Sequence, residues 1–415
     1  MPNRDAEHAP SVPTLDRPSL ILHSSYHGPL DVRAIDRRAV GGIAKLLAHA
    51  GPDRATIARA RAAGLAVALP GEAWRNQLPP DHQKRGLTFQ RLAYALPGRL
   101  DIEAVFGPGF LRGYAAAYLD EQIERGATIL QTPGHVLPRE GGQARENDVA
   151  LARATVEEYA GRRARLAAED GRPRPLLATI VVRGEHLTDR GVASVVAAYS
   201  GLDGVHGFWV VVANYGESKW QAMGLAALSD ALERRTGLPV VLSGVSGHHL
   251  AFLASGVVSA TCMGHHGATL RFPPTDWPRS TDTEEEQGIG VQVHHRAILG
   301  AVQLGEKYDD ARGILFGQWP CSCGLHAARV PPRTHGEILG HNAWTLMANV
   351  ASLCVREPEE RAEYLEMRLD KAATIRSELG LGRLRAGWRG PGDFTPPDEQ
   401  SSGDEGASEP DGLPG

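Results

Sequence analysis

The sequence predicts an α/β chain folded as a (β/α)8 (TIM) barrel with a C-terminal Cys/His-rich segment and helices packed on it. Three observations lead there. Short β-like runs alternate with helix-like runs along most of the chain, a pattern that calls for a parallel sheet with helical crossovers. About eight strand candidates fall within the ordered part of the 415 residues, which favours a closed barrel over an open doubly wound sheet. No Gly-x-Gly-x-x-Gly follows the first strand, and neither a P-loop nor a Gly-x-Ser-x-Gly elbow occurs, so the usual dinucleotide, NTP and hydrolase readings fall away.

In order, the strands are expected at Leu20–His23, Leu65–Leu69, Thr128–Gln131, Leu177–Val182, Gly207–Ala213, Val240–Gly244, Ser259–Met263 and Gly313–Gly317. Helices are expected at Asp53–Ala63, Gly113–Arg125, Glu146–Glu169, Asp189–Ala198, Lys219–Thr236 and His248–Ala254, then at Thr334–Val355 and Glu357–Leu379. The barrel is therefore assigned to residues 18–318 and the metal-binding segment with its C-terminal helices to 319–389. Residues 1–17 and 390–415 are rich in Pro, Gly, Ser and charge and are expected to be disordered tails.

Four cysteines are too few for a disulfide scaffold, and two of them form Cys321-Ser-Cys323, which suits a metal or thiol site in a reducing compartment. With His326 and His341 the spacing becomes C-x-C-x2-H-x14-H. Zinc takes four thiolate or imidazole ligands in a tetrahedron, and two close cysteines plus histidines from a following turn and helix supply that set. His335 competes with His341 for the fourth place. The plain alternative is a reduced thiol pair beside surface histidines. Four protein ligands leave no open position, so such a zinc would be structural.

These residues resemble the tRNA-guanine transglycosylases, a family of zinc-containing barrels whose zinc loop runs C-x-C-x2-C and ends in His-Asn, as His341-Asn342 does here. Leu238–Val245 is similar to the family's L-M-G-V-G strand, Ala254–Cys262 to its G-[VI]-D-x-F-D-C strand, and Ala268–Phe272 to the stretch beyond. Ala213–Glu217 stands where the family has G-G-L-x-V-G-E, and Val181–Gly184 where it has I-V-Q-G. The resemblance runs from about residue 177 to 355, slightly under half the chain; the first 150 residues match poorly. It implies transfer at an N-glycosidic bond, exchanging guanine for a 7-deazaguanine-type base, with tRNA or DNA and a purine-like base as partners and a homodimer or heteromer as assembly. Three departures stand against an unchanged mechanism. Thr261 occupies the position of the nucleophilic Asp, no D-S-G-G-F motif exists, and Gln131-Thr-Pro-Gly134-His135 stands where the base-recognising Asp would be.

Strand ends of a barrel converge on one pocket. Glu72 and Glu185 each follow a strand and are the acid/base candidates, flanked by Trp74 and Arg75 and by Arg183 and His186. Trp74, Arg75, Arg183, Tyr215, Glu217 and His265 are the substrate-binding candidates, with Trp74 and Tyr215 suited to stacking on a planar base. The plainer reading has those two aromatics filling the rim. Three functions follow: a transglycosylase-like enzyme with altered acids, a non-catalytic zinc-stabilised binding or partner subunit, and an unrelated small-molecule barrel enzyme.

The N-terminus lacks an apolar targeting core and no apolar run reaches about 18 residues, so a cytoplasmic protein without membrane contact is expected. The net charge of −5 is set by the tail: from Pro391 onward it carries seven acids and no base, so the remainder is slightly basic. That balance is compatible with a nucleic-acid partner without arguing for one. Deleting the chain from Pro391 onward should leave the thermal midpoint nearly unchanged, because the tail has little apolar surface to bury; a fall of several degrees in calorimetry would refute this.

Overall fold

A computed structural model describes residues 19–23, 35–50, 54–77, 89–137, 142–171, 173–213, 215, 218–245, 248–264, 292–303 and 308–381. Both expected tails lie outside them.

Eight parallel strands form the sheet: β1 (Ser19–His23), β2 (Val40–Ala44), β3 (Ala66–Ala68), β4 (Leu130–Gln131), β5 (Leu176–Arg183), β6 (Phe208–Ala213), β7 (Val240–Ser243) and β8 (Ala260–Gly264). Their spatial order, β3-β2-β1-β8-β7-β6-β5-β4, is the chain order wrapped round on itself. A parallel bridge between Ala68 and Ile129 spans the seam from β3 to the start of β4. The architecture is therefore the expected (β/α)8 barrel.

Strand period two sorts the side chains into two layers. Ile21, Ala66, Ala68, Ile129, Leu177, Trp209, Val241, Ala260 and Cys262 pack together inside the barrel. Leu20, Leu22, Val67, Leu130, Ala178, Ile180, Val210 and Leu242 face outward onto the helices. Those helices are α1 (Leu47–Ala50), α2 (Arg54–Ala62), α3 (Pro108–Glu124), α4 (Gln143–Asp170), α5 (Asp189–Tyr199), α6 (Lys219–Thr236) and α7 (His249–Ala254). Local chemistry marks their ends: Thr188 caps α5 by accepting from the Gly191 N–H, and α6 runs from the Ser218 cap to a left-handed Gly237.

The chain continues into an antiparallel hairpin, β9 (Gln292–His295) and β10 (Gly300–Gln303), then α8 (Asp309–Gln318), α9 (His335–Cys354) and α10 (Pro358–Glu378). A capping box of Thr334 and Glu337 starts α9. Leu346, Met347, Val350 and Leu353 of α9 and Leu365 of α10 join the barrel's outer core. Among the described residues, no helix is long and apolar enough to cross a membrane.

Two strand expectations need correction. Gly313–Gly317 is not the eighth strand but lies inside α8. Its Gly-Ile-Leu-Phe-Gly run satisfies a strand pattern, but Asp309 and Asp310 favour a helix start and Leu315 with Phe316 bury one helical face. The missing strand is β2, hidden because Val-Gly-Gly-Ile-Ala carries two glycines that argue against a strand. A Cβ on Gly42 would lie 2.8 Å from the Ala66 carbonyl oxygen, so glycine is what lets β2 meet β3. The hairpin β9–β10 was not anticipated either, and the last barrel strand ends at Gly264.

Gly42→Ala should therefore destabilise the protein by about 1–3 kcal/mol through the clash with β3. Gly313→Ala, whose Cβ meets nothing within 4 Å, should stabilise it by about 0.5–1 kcal/mol through helix propensity. Urea melts of the two variants check the pair, and equal effects would contradict the assignment of these glycines.

Candidate metal centre and barrel mouth

Cys321, Cys323, His326 and His341 converge behind the hairpin, one ligand atom from each lying within 4.8 Å of all the others. Cys321 and His341 are buried and the other two half-buried. Just past the two thiols the loop takes a left-handed turn at Gly324, where φ is 72°, on the way to His326. The Cys323 N–H points at Cys321 Sγ (3.3 Å) and the Leu325 N–H at Cys323 Sγ (3.4 Å), donors that favour thiolate.

Both imidazoles are oriented from behind. His341 Nε2 donates to the His294 carbonyl at 2.6 Å, which leaves Nδ1 facing the thiols, 3.3 Å from Cys321 Sγ. His326 Nδ1 lies 2.7 Å from the Val330 carbonyl, which leaves Nε2 facing inward, 3.0 Å from His341 Nδ1. Metal-binding histidines characteristically give their second nitrogen to such an acceptor. Tetrahedral bonds of about 2.0 Å to nitrogen and 2.3 Å to sulfur would separate two nitrogens by about 3.3 Å and nitrogen from sulfur by about 3.5 Å. These two spacings are slightly tighter and the whole set lies within 4.8 Å, close enough that the four donors could hold one metal ion.

Burial sets the resting protonation. The Cys321 thiol is pushed up to about 12 by desolvation, and the same cause lowers His341 to about 4. A neutral imidazole is what a metal needs; a thiolate here needs the cation's charge. Phe316 of α8 walls the cluster, its ring centroid 5.6 Å from His326 and 5.4 Å from His341. Asn342 clamps β9, accepting from the His294 N–H and donating to the Gln292 carbonyl, both at 2.8 Å. His335 is exposed in the first turn of α9 and is not in the cluster, which decides the fourth donor for His341.

The mouth candidates separate. Glu72 is buried just past β3 and both its oxygens are held by Arg75, at 2.6 and 3.0 Å. The Arg75 guanidinium also sits 5.2 Å from the Trp74 ring centroid. Trp74 packs with Val136, Val181, Val211 and Ala213, filling the rim. Tyr215 is buried in the outer core, with its hydroxyl 2.5 Å from His248 Nδ1. Arg183 ends β5 and pairs with the half-exposed Glu185 at 3.3 Å. No hydrogen bond or ion pair joins Glu72 to Glu185 among the described residues. Glu217 and His265 lie outside the described residues.

The position resembling the nucleophile is placed by register. Thr261 pairs with Leu20 and Leu242, both outward, whereas Cys262 pairs with Ile21 and packs inside. Thr261 thus faces the helix layer, not the barrel interior. Cys262, which does face inward, is pushed up to about 12 by burial and remains a thiol.

Two polar groups in the barrel wall were not anticipated. Gln131 pairs with the inward Leu177, and its fully buried carboxamide has no partner for either amide atom. Thr179 Oγ1, at the next inward position of β5, is likewise buried without a partner. Outside the barrel wall, Asp148 of α4 holds His135 Nδ1 at 2.7 Å and accepts from the Tyr199 hydroxyl. Only the acid-rich start of α4 signalled Asp148 in the sequence; nothing signalled Tyr199. No family model matches this chain, and no curated protein does.

The purified chain should carry about one equivalent of metal by elemental analysis. Cys323→Ser and His341→Ala should lose it, while His335→Ala should keep it. Metal retained in full by His341→Ala would overturn the assignment of the fourth donor.

Proposed function

We propose that this chain is a transglycosylase-like barrel that acts on an N-glycosidic bond of a nucleic acid, tRNA or DNA, exchanging or releasing a guanine-type base, with zinc as a structural ion. One observation carries the reading: the cluster of Cys321, Cys323, His326 and His341, with Asn342 gripping β9, follows the eighth strand as the family resemblance leads one to expect. Gln131 adds to it. A buried carboxamide offers a donor and an acceptor side by side, which matches the edge of a purine, and it lies in the segment after the third expected strand, where the resembling family carries its base-recognising Asp and this chain has none.

The chemistry must differ from a covalent exchange through an Asp at the position of Thr261. That hydroxyl faces the helix layer. The departing base still needs a proton, and a positioned carboxyl group contributes about 10²–10⁴-fold to such a transfer. Glu185, half-exposed on the rim beside Arg183, can approach a bound nucleic acid. Glu72 is tied to Arg75 and is assigned to holding the Trp74 turn.

A second reading, a binding or partner subunit without turnover, is favoured by the Glu72–Arg75 pair and by the outward Thr261. Base exchange and release on tRNA and on DNA with 7-deazaguanine precursors separates the two. The expected result is activity in the parent, retained in Thr261→Ala and falling about 10²-fold or more in Glu185→Gln. A parent that binds nucleic acid but neither exchanges nor releases a base would leave the subunit reading standing instead.

A further inference from the structure

Arg145 lies in the first turn of α4 with 7% of its surface exposed, and it has no carboxylate within ion-pair distance among the described residues. Its Nη1 donates to Ser194 Oγ of α5. Its Nε is buried with no acceptor. Asp148, one turn along α4, is already engaged by His135 and Tyr199. A guanidinium is charged at every physiological pH, and burying it without an anion is costly.

Arg145 lines a cavity of about 10 Å3 between α4, β5 and α5, whose wall is otherwise mostly apolar and includes Leu137, Val181, Val182 and Leu187. That space accepts about one oxygen-sized atom. It lies at the barrel's C-terminal face, where α5 begins. α5 has 11 residues, and its N-terminal end adds partial positive charge. Asp189, the acid of that first turn, lines a different groove, beside Val192, Asp230 and Arg234.

We propose that this cavity is an oxyanion site, in which one oxygen of a phosphate or carboxylate group enters and is held by the Arg145 guanidinium. The cavity abuts β5 but includes neither Gln131 nor any of the four clustered donors, and the proposal does not rest on the function proposed above. The fork of N–H donors suits an oxyanion, which a water molecule would not match in charge.

Calorimetric titration of the full chain in oxyanion-free buffer, with inorganic phosphate in one arm and acetate in the other, tests it. About one equivalent should bind, and the tighter arm identifies the source as phosphate or carboxylate. Arg145→Met should weaken binding about tenfold to a hundredfold, the loss expected for a charge-assisted hydrogen bond. Arg145→Lys keeps the charge, is the less disruptive variant, and should also bind measurably more weakly because an ammonium lacks the fork. Absence of binding in the parent, or binding in Arg145→Lys equal to the parent, overturns the proposal.

Discussion

Ring closure of a parallel sheet leaves each strand residue only two destinations, the packed interior or the layer under the helices. The placement of the barrel-wall residues discussed above follows from that choice. The register that pairs Thr261 with Leu20 and Leu242 sends its hydroxyl outward, and the register that pairs Gln131 with Leu177 sends a carboxamide inward. A shift of one residue in β8 would exchange Thr261 for Cys262 and reverse the argument. The shift is prevented because Ala260 and Cys262 fit the crowded interior around Trp209, while Met263 fills the outer core.

The metal segment is tied to this ring through one helix. α9 carries His341 near its start and Leu346, Met347, Val350 and Leu353 further along, packed on the barrel. His341 and Asn342 also hold β9 by its backbone, so the hairpin, the thiol loop and the barrel meet on two adjacent residues. An ion bound there would join three segments far apart in sequence, and such ions contribute folding free energy directly. Phe316 completes the arrangement by covering the histidines from α8 with an apolar ring.

Much of this was legible in the sequence. Strong periodicity marked β5, β6 and the helices α5 and α6, and α6 begins and ends at the expected residues because Ser218 and Gly237 are unambiguous caps. Spacing marked Cys321, Cys323 and His326, and left the fourth donor between His335 and His341 until the fold placed His341 in the cluster. β2 was not, since its glycines serve a close approach to β3 that only the tertiary structure reveals. Glu72 illustrates a second limit: its position after a strand suggested chemistry, but in the fold Arg75 occupies both its oxygens. The side-chain partners of Asp148 come from β4's loop and α5, separations that no local pattern encodes.

Among the described residues, unpaired buried polar atoms occur in several parts of the fold: Ser259, Thr261, Arg296 and Asn349 carry them, and so do Gln131, Thr179, Arg183 and Arg145 of β4, β5 and the helix between them. Each such group costs about 1–3 kcal/mol, and apolar replacements of similar shape would remove that cost. Stability is given up in this way where a site must meet polar ligands. Gln131 stands out because both its amide atoms are unpaired on the interior face of the barrel, whereas the two imidazoles of the Cys/His cluster are already oriented by backbone carbonyls.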